Sequence, residues 1–171
     1  MNSLANPPMV VMGVSGCGKS TVGNMLALEL GSTFIDGDDL HPVSNKEKMA
    51  AGQPLDDTDR EPWLATIGEA LHRSTESGTP AVIACSALKR NYRDALRAHE
   101  PATLFIHLRG AADLIQHRLD ERNHEYMPST LLASQLNTLE AIEEDEPAIE
   151  VDVSQSPADI VALVATTLKN R

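Results

Sequence analysis

Residues 13–20 read Gly13-Val14-Ser15-Gly16-Cys17-Gly18-Lys19-Ser20, which is the spacing G-x-x-x-x-G-K-[ST] without deviation. Glycines at these places let backbone N–H groups curve around phosphate oxygens without side-chain clash. Lys19 is placed to reach the β- and γ-phosphates of a nucleotide, and the Ser20 hydroxyl to ligate Mg²⁺. A chance glycine-rich turn would lack the flanks found here. The apolar run Met9-Val10-Val11-Met12 precedes it, and the glycines that follow make this run a strand rather than a helix. After it, Ser20 to Leu30 sets Val22, Met25, Leu26 and Leu30 on one helical face, and Gly31 closes that helix. The helix therefore aims its positive end at the same anion. Cys17 is a variable position of the loop.

Working outward, strands and helices alternate. Thr33–Asp36 reads as a second strand, 81–85 as a third, 103–108 as a fourth and 148–153 as a fifth. Ser44-Asn45-Lys46-Glu47 has the capping-box pattern and predicts a short helix through about Ala51. Thr58-Asp59-Arg60-Glu61 predicts another start, with Leu64, Ile67 and Leu71 inward and Gly78 and Pro80 ending it. A helix with Tyr92 and Leu96 follows the third strand, and 111–122 is helical with Leu114, Ile115 and Leu119 inward. A further helix runs from about Ser129 to Glu140. The acidic stretch 141–147 reads as a solvated loop. Ser156 caps a last helix with Pro157 in its first turn and Ile160, Val161, Leu163, Val164 and Leu168 inward. This order predicts a three-layer α/β/α domain over residues 1–171, with a five-stranded parallel sheet. The segments about 37–78 and 119–128 read as insertions into that domain.

The composition narrows the function. With 171 residues, 42% apolar and 23% charged, the chain is long enough for one well-filled core. A formal net charge of −11 argues against a nucleic-acid partner. No apolar run approaches the length of a membrane span, so no membrane association is expected. Cys17 and Cys85 set no disulfide framework, and no secretory leader is read at the N-terminus. A cytoplasmic setting with reduced thiols is expected.

Phosphoryl transfer needs a carboxylate near Mg²⁺ and a group that orients the acceptor hydroxyl. The third strand ends at Cys85-Ser86 without an acid, but the second ends Asp36-Gly37-Asp38-Asp39. Open α/β sheets bind ligands beyond the carboxyl ends of their strands. If the strand continues, Asp36 and Asp38 share a face, one acid toward the metal and one toward the acceptor. An acidic turn at a strand end is the plainer reading of the spacing alone. Arg60 offers a fork for a carboxylate substrate, although an isolated arginine more often makes a surface ion pair. Lys89 and Arg93 stand four apart and suit either an acceptor pocket or an exposed helical face. Arg118 and Arg122, also four apart, suit a lid that neutralises transferring charge or a solvated helix end. Trp63 reads as a packing residue. His41, in Asp38-Asp39-Leu40-His41-Pro42, is the histidine beside the site and is assigned to substrate binding.

Together these motifs resemble the gluconokinases, the small P-loop kinases that make 6-phosphogluconate. The matching stretches are GVSGCGKST at 13–21, DGDDLHPVSNKEKMAAGQPLDDTDREPWL at 36–64, CSALKRNYRDALR at 85–97, MPSTLLASQLNTLE at 127–140 and VDV at 151–153. The second stretch is the most specific, because other P-loop kinases lack it. The resemblance implies a fold like that of shikimate and adenylate kinases, with an acceptor-binding insertion and a short lid. It implies ATP phosphates bound by Gly13, Val14, Ser15, Gly16, Cys17, Gly18, Lys19, Ser20 and Thr21. Asp36 would join Ser20 near Mg²⁺, and Asp38 would orient or deprotonate the 6-hydroxyl of D-gluconate. Arg60 matches the arginine that shikimate kinases direct at the acceptor carboxylate. Lys89 belongs to the acceptor pocket, and Arg118 and Arg122 flank the lid near adenine and phosphates. Lys19, Asp38 and Arg122 are the catalytic set so implied. Family members are commonly dimers. The chain departs from the family at the lid, where Glu125 stands in place of the usual histidine and is given no role.

The reaction this implies is ATP plus D-gluconate giving ADP plus 6-phospho-D-gluconate. Two rivals remain open at this point: a kinase for another small hydroxy acid such as shikimate, and a nucleotide-gated regulator. A GTPase switch would need an N-K-x-D element, and Asn45-Lys46-Glu47-Lys48 lacks the Asp.

Overall fold

The computed structural model describes residues 6–121 and 129–171. Among these, β1 (Met9–Met12), β2 (Phe34–Asp36), β3 (Val82–Ala84), β4 (Leu104–Arg109) and β5 (Ala148–Asp152) form one sheet. The strand order is β2-β3-β1-β4-β5, and every pairing is parallel, with Val10 beside Ile83 on one side and Phe105 on the other. The helices are α1 (Lys19–Leu30), α2 (Val43–Ala50), α3 (Asp57–Glu76), α4 (Arg90–His99), α5 (Ala112–Glu121), α6 (Ser129–Thr138) and α7 (Pro157–Lys169). The expected α/β/α architecture is the one observed. Among the described residues, no helix is long and apolar enough to cross a membrane.

Side-chain alternation along the strands splits the core in two. Met9, Val11, Ile106 and Leu108 pack with Val22 and Leu26 of α1 and Ile160 and Val164 of α7. Val10, Met12, Ile83 and Phe105 pack with Leu64, Ile67 and Leu71 of α3 and Leu96 of α4. Central strands buried on both faces read as continuous apolar runs, which is why they were legible. Ser156 Oγ accepts from Asp159 N–H at the start of α7. Leu163 was expected inward but is 43% exposed, on the flank of a helix whose contact face is narrower than its apolar stripe.

Two helix starts differ from expectation. α2 begins at Val43, with Pro42 at its N-cap and no side-chain cap. The Pro42 carbonyl accepts from Asn45 and Lys46 N–H, and the Asn45 side chain turns inward instead. α3 begins at Asp57, capped by Asp56 rather than Thr58. Asp56 accepts from Asp59 N–H at 2.8 Å and Asp59 accepts from Asp56 N–H at 3.0 Å. A reciprocal box of this kind outcompetes a single hydroxyl cap.

The acidic stretch is not uniformly solvated. Glu146 is buried and paired with Arg93, which is itself fully buried in α4. Neither the acceptor pocket nor an exposed helical face describes Arg93. Arg90 next to it takes the exposed acids, meeting Asp145 at 2.8 Å through both its terminal nitrogens.

Candidate active site

β1 delivers the chain into the loop, and α1 receives it at Lys19. Gly13, Gly16 and Gly18 have φ of 144°, 85° and 96°. At Gly13 a side chain would also collide with the Leu108 carbonyl, 2.8 Å from where a Cβ would stand. Gly18 has open space around it, so only its left-handed backbone, which turns the chain into α1, demands glycine. Lys19 Nζ donates to the carbonyls of Gly13 at 3.0 Å and Val14 at 3.1 Å. The ammonium is thus held over the loop it serves. Cys17 is a buried loop residue.

Asp36 of β2 meets the loop, and it is joined to Asp38 by another route than a continued strand. β2 stops at Asp36, and Gly37–Leu40 forms a 3₁₀ turn. Gly37 passes so close to β3 that a Cβ would lie 2.3 Å from the Ala84 carbonyl. One oxygen of Asp36 accepts from Asp38 N–H at 3.0 Å, and the other from Ser20 Oγ at 3.3 Å. Asp36 therefore joins the loop's hydroxyl to the turn that carries Asp38. Burial and the neighbouring Asp36 push the Asp38 carboxyl above its ordinary range, against the pull of Lys19 and His41.

A platform missed by the sequence reading supports this turn. Trp63 Nε1 donates to the Gly37 carbonyl at 2.8 Å, and its ring stacks on His41 with centroids 4.1 Å apart. The Asn45 amide donates to the Asp59 carbonyl and lies 3.2 Å from His41 Nδ1. His41 Nδ1 is therefore an acceptor, and its proton resides on Nε2. Burial lowers the His41 pKa, which favours this neutral form.

The two expected acceptor cations come together on one aromatic ring. The Arg60 guanidinium lies 5.4 Å from the Tyr92 centroid and Lys89 Nζ 5.5 Å from it. Arg60 donates to Tyr92 Oη at 3.1 Å, and Tyr92 in turn donates to Asp57. Lys89 pairs with the same Asp57 at 3.3 Å. These hydrogen bonds hold the Asp57 carboxyl below its ordinary range. Lys19, Asp38 and Arg60 all bear electrostatically on the Cys85 thiol at the end of β3. Burial drives that thiol up to about 12, so it stays protonated and inert.

On the far side of the loop, Arg118 donates to the Val153 carbonyl. A cleft of about 660 Å³ opens there between the ends of β4 and β5 and α6, lined by Val14, Gly110, Ala111, Leu136 and Asp152 among others. Arg122, Glu125 and most of the expected lid lie outside the described residues.

The shikimate kinase family model matches residues 15–167. The gluconokinase of Gluconobacter oxydans (strain 621H) is 48% identical over 90% of this chain and 85% of its own. The thermoresistant gluconokinase of Escherichia coli (strain K12) is 42% identical over 94% of this chain and 92% of its own. The crystal structure of a gluconokinase from Sinorhizobium meliloti 1021 superposes with a TM-score of 0.88 at 46% identity, covering 97% of this chain and 93% of the other. A shikimate kinase from Aquifex aeolicus, at 16% identity and a TM-score of 0.60, shares the fold. The loop, the acid turn and the full-length likeness together place the chain in the gluconokinase family, on the shikimate kinase fold.

Proposed function

We propose that this P-loop kinase transfers the γ-phosphoryl group of ATP to the 6-hydroxyl of D-gluconate. The observation that carries the reading is the hydrogen-bonded link from the phosphate loop to the acid turn, in which Asp36 accepts from Ser20 Oγ and from Asp38 N–H. Lys19 faces the transferring phosphate, and Asp38 takes the hydroxyl proton. Arg60 and Lys89, oriented by Tyr92 and Asp57, take the substrate carboxylate. His41 offers Nε2–H to a sugar hydroxyl. Gly13 to Thr21 cradle the phosphates, while Arg118 and Arg122 serve the nucleotide side. A pair of cations that reads an acid and a base that reads a hydroxyl favour a hydroxy acid over a nucleotide acceptor.

Mg²⁺ fits the donors present. Ser20 and Asp36 offer one hydroxyl and one carboxylate already in contact, and Mg²⁺ is commonly bound by few protein ligands plus substrate phosphates. Among the described residues, no group of three or more His, Cys, Asp or Glu could hold a metal by itself. Ser20 and Asp36 would hold the ion, which would neutralise charge on the phosphates. A cytoplasmic homodimer is part of the same reading, supported by family resemblance.

An acceptor panel read by ADP release tests the substrate: gluconate is expected to give the highest kcat/KM, ahead of shikimate and other aldonates. A flat panel, or release that ignores the acceptor, would overturn it. Tyr92→Phe tests the carboxylate clamp. It removes the hydroxyl shared by Arg60 and Asp57 but keeps the ring under both cations. Loss of hydrogen bonds to charged groups predicts a gluconate KM raised by about tenfold with kcat nearly kept. An unchanged KM would detach the clamp from the substrate.

A further inference from the structure

The phosphate loop is pinned by a side chain from outside the motif. Ser15 N–H donates to Gln135 Oε1 at 2.7 Å, and Gln135 Nε2 donates to Ser15 Oγ at 2.9 Å. A backbone N–H can only donate, so the amide orientation is fixed by chemistry. Gln135 lies on α6, 120 positions from Ser15. The segment that follows it is bolted down. Glu140 N–H donates to the Leu88 carbonyl at 2.7 Å. The Glu140 carboxylate accepts from Arg90 N–H at 2.8 Å. Arg93 binds the carbonyls of Glu140 and Ala141. Gln135 is therefore carried by a post fixed to the base of α4.

We propose that Gln135 is a positioning residue that holds the phosphate loop in its nucleotide-binding shape. A loop of glycines with left-handed backbone loses much conformational freedom when it closes on phosphates. Tying Ser15 to a rigid post removes part of that cost before ATP arrives, which is how preorganisation raises affinity. The tie touches Ser15 and leaves Lys19, Ser20 and the N-terminus of α1 to the phosphates. This inference rests on the nucleotide half of the proposed function and not on gluconate.

ATP titrations without acceptor test it in the wild type, Gln135→Met, Ser15→Ala and the double variant. Gln135→Met keeps the volume and loses both bonds, and its ATP affinity is expected to fall about tenfold. Ser15→Ala loses one bond and falls less. The double variant binds like Gln135→Met alone, because nothing remains for the second change to remove. Gln135→Glu keeps an acceptor for Ser15 N–H but sets a negative charge beside the phosphates. Its deficit exceeds that of Ser15→Ala and shrinks as salt is raised. If Gln135→Met does not fold, Gln135→Glu and Ser15→Ala still decide the matter. A role confined to docking α6 lowers the melting temperature and leaves ATP affinity unchanged in all four variants; that result overturns the proposal. A wild-type chain that binds no ATP removes both readings, whereas one that binds ATP but ignores gluconate removes only the acceptor.

Discussion

Asp38→Asn is expected to lower kcat with gluconate by about 10²–10⁴-fold, the range for a lost general base, while ATP affinity changes by less than about twofold. Asn keeps the shape of the side chain and the backbone bond from Asp38 N–H to Asp36. It cannot take a proton. Burial and Asp36 raise the Asp38 pKa above 3.8, and a base works only when ionised. The acidic limb of the wild-type kcat/KM profile should therefore lie above the ordinary carboxylate range, and the variant's residual rate should lose that limb. The same shift has a consequence for stability. A carboxyl with a raised folded pKa binds its proton more tightly folded than unfolded. That contribution is full below the unfolded value near 3.8 and is lost as pH rises through the folded value. At neutral pH the ionised Asp38 weighs against folding, and Asn has no charge to bury. Asp38→Asn should melt higher than wild type near pH 7, with the gap closing in acid. Near-normal turnover would remove Asp38 from the mechanism, and a lower melting temperature near pH 7 would contradict the burial argument.

The loop and the two-sided strands were legible because their signals are local. Gly13 to Ser20 carries its function in spacing, and Val10 or Ile83 betrays its strand by its neighbours. The pairing of Asp36 with Asp38 was reached by a wrong route. Alternation needs a continued strand, whereas Asp36 caps a 3₁₀ turn where Gly37 passes close to β3. Tyr92, Gln135 and the Arg93–Glu146 pair escaped for a different reason. Each is defined by a partner far along the chain, 32 positions for Arg60 with Tyr92 and 53 for Arg93 with Glu146. Four acids in a row of seven residues look solvated when the arginines that bind Glu143, Asp145 and Glu146 stand far away in α4. Trp63 was legible as a packing residue, but not as the ring on which His41 lies.

Arg93→Met is expected to destabilise the fold by about 3–5 kcal/mol, the range for breaking one side of a buried ion pair. For a chain of this size, each kcal/mol shifts the melting temperature by roughly 2–4 °C. The guanidinium is fully buried and grips Glu146 with two nitrogens, at 2.6 and 3.2 Å. It also donates to the carbonyls of Ala87, Leu88, Glu140 and Ala141. Met fills the space of the stem but strands the carboxylate. Burial pulls the Glu146 pKa up, yet the bonds from Arg93 and from Glu143 N–H hold it below 4.5. A depressed carboxyl contributes stability above its unfolded pKa and loses it as pH falls through the folded value. The destabilisation should accordingly be largest near neutral pH and smaller in acid. Adding Glu146→Leu to Arg93→Met removes the stranded charge, so the double variant should be more stable than the single. The effect reaches the acceptor side as well. Ala87 has φ of 45°, a left-handed backbone that costs a residue with a Cβ about 1–2 kcal/mol. Arg93 holds that strained carbonyl and the next one, directly before Lys89. Released from Arg93, the chain at Ala87 can relax and Lys89 can drift from Asp57, so the surviving folded enzyme should show a raised gluconate KM with ATP affinity kept. Denaturant titration and steady-state kinetics on the single and double variants measure both effects. A loss below about 1 kcal/mol, or a double variant weaker than the single, would show that the pair does not hold this corner of the molecule.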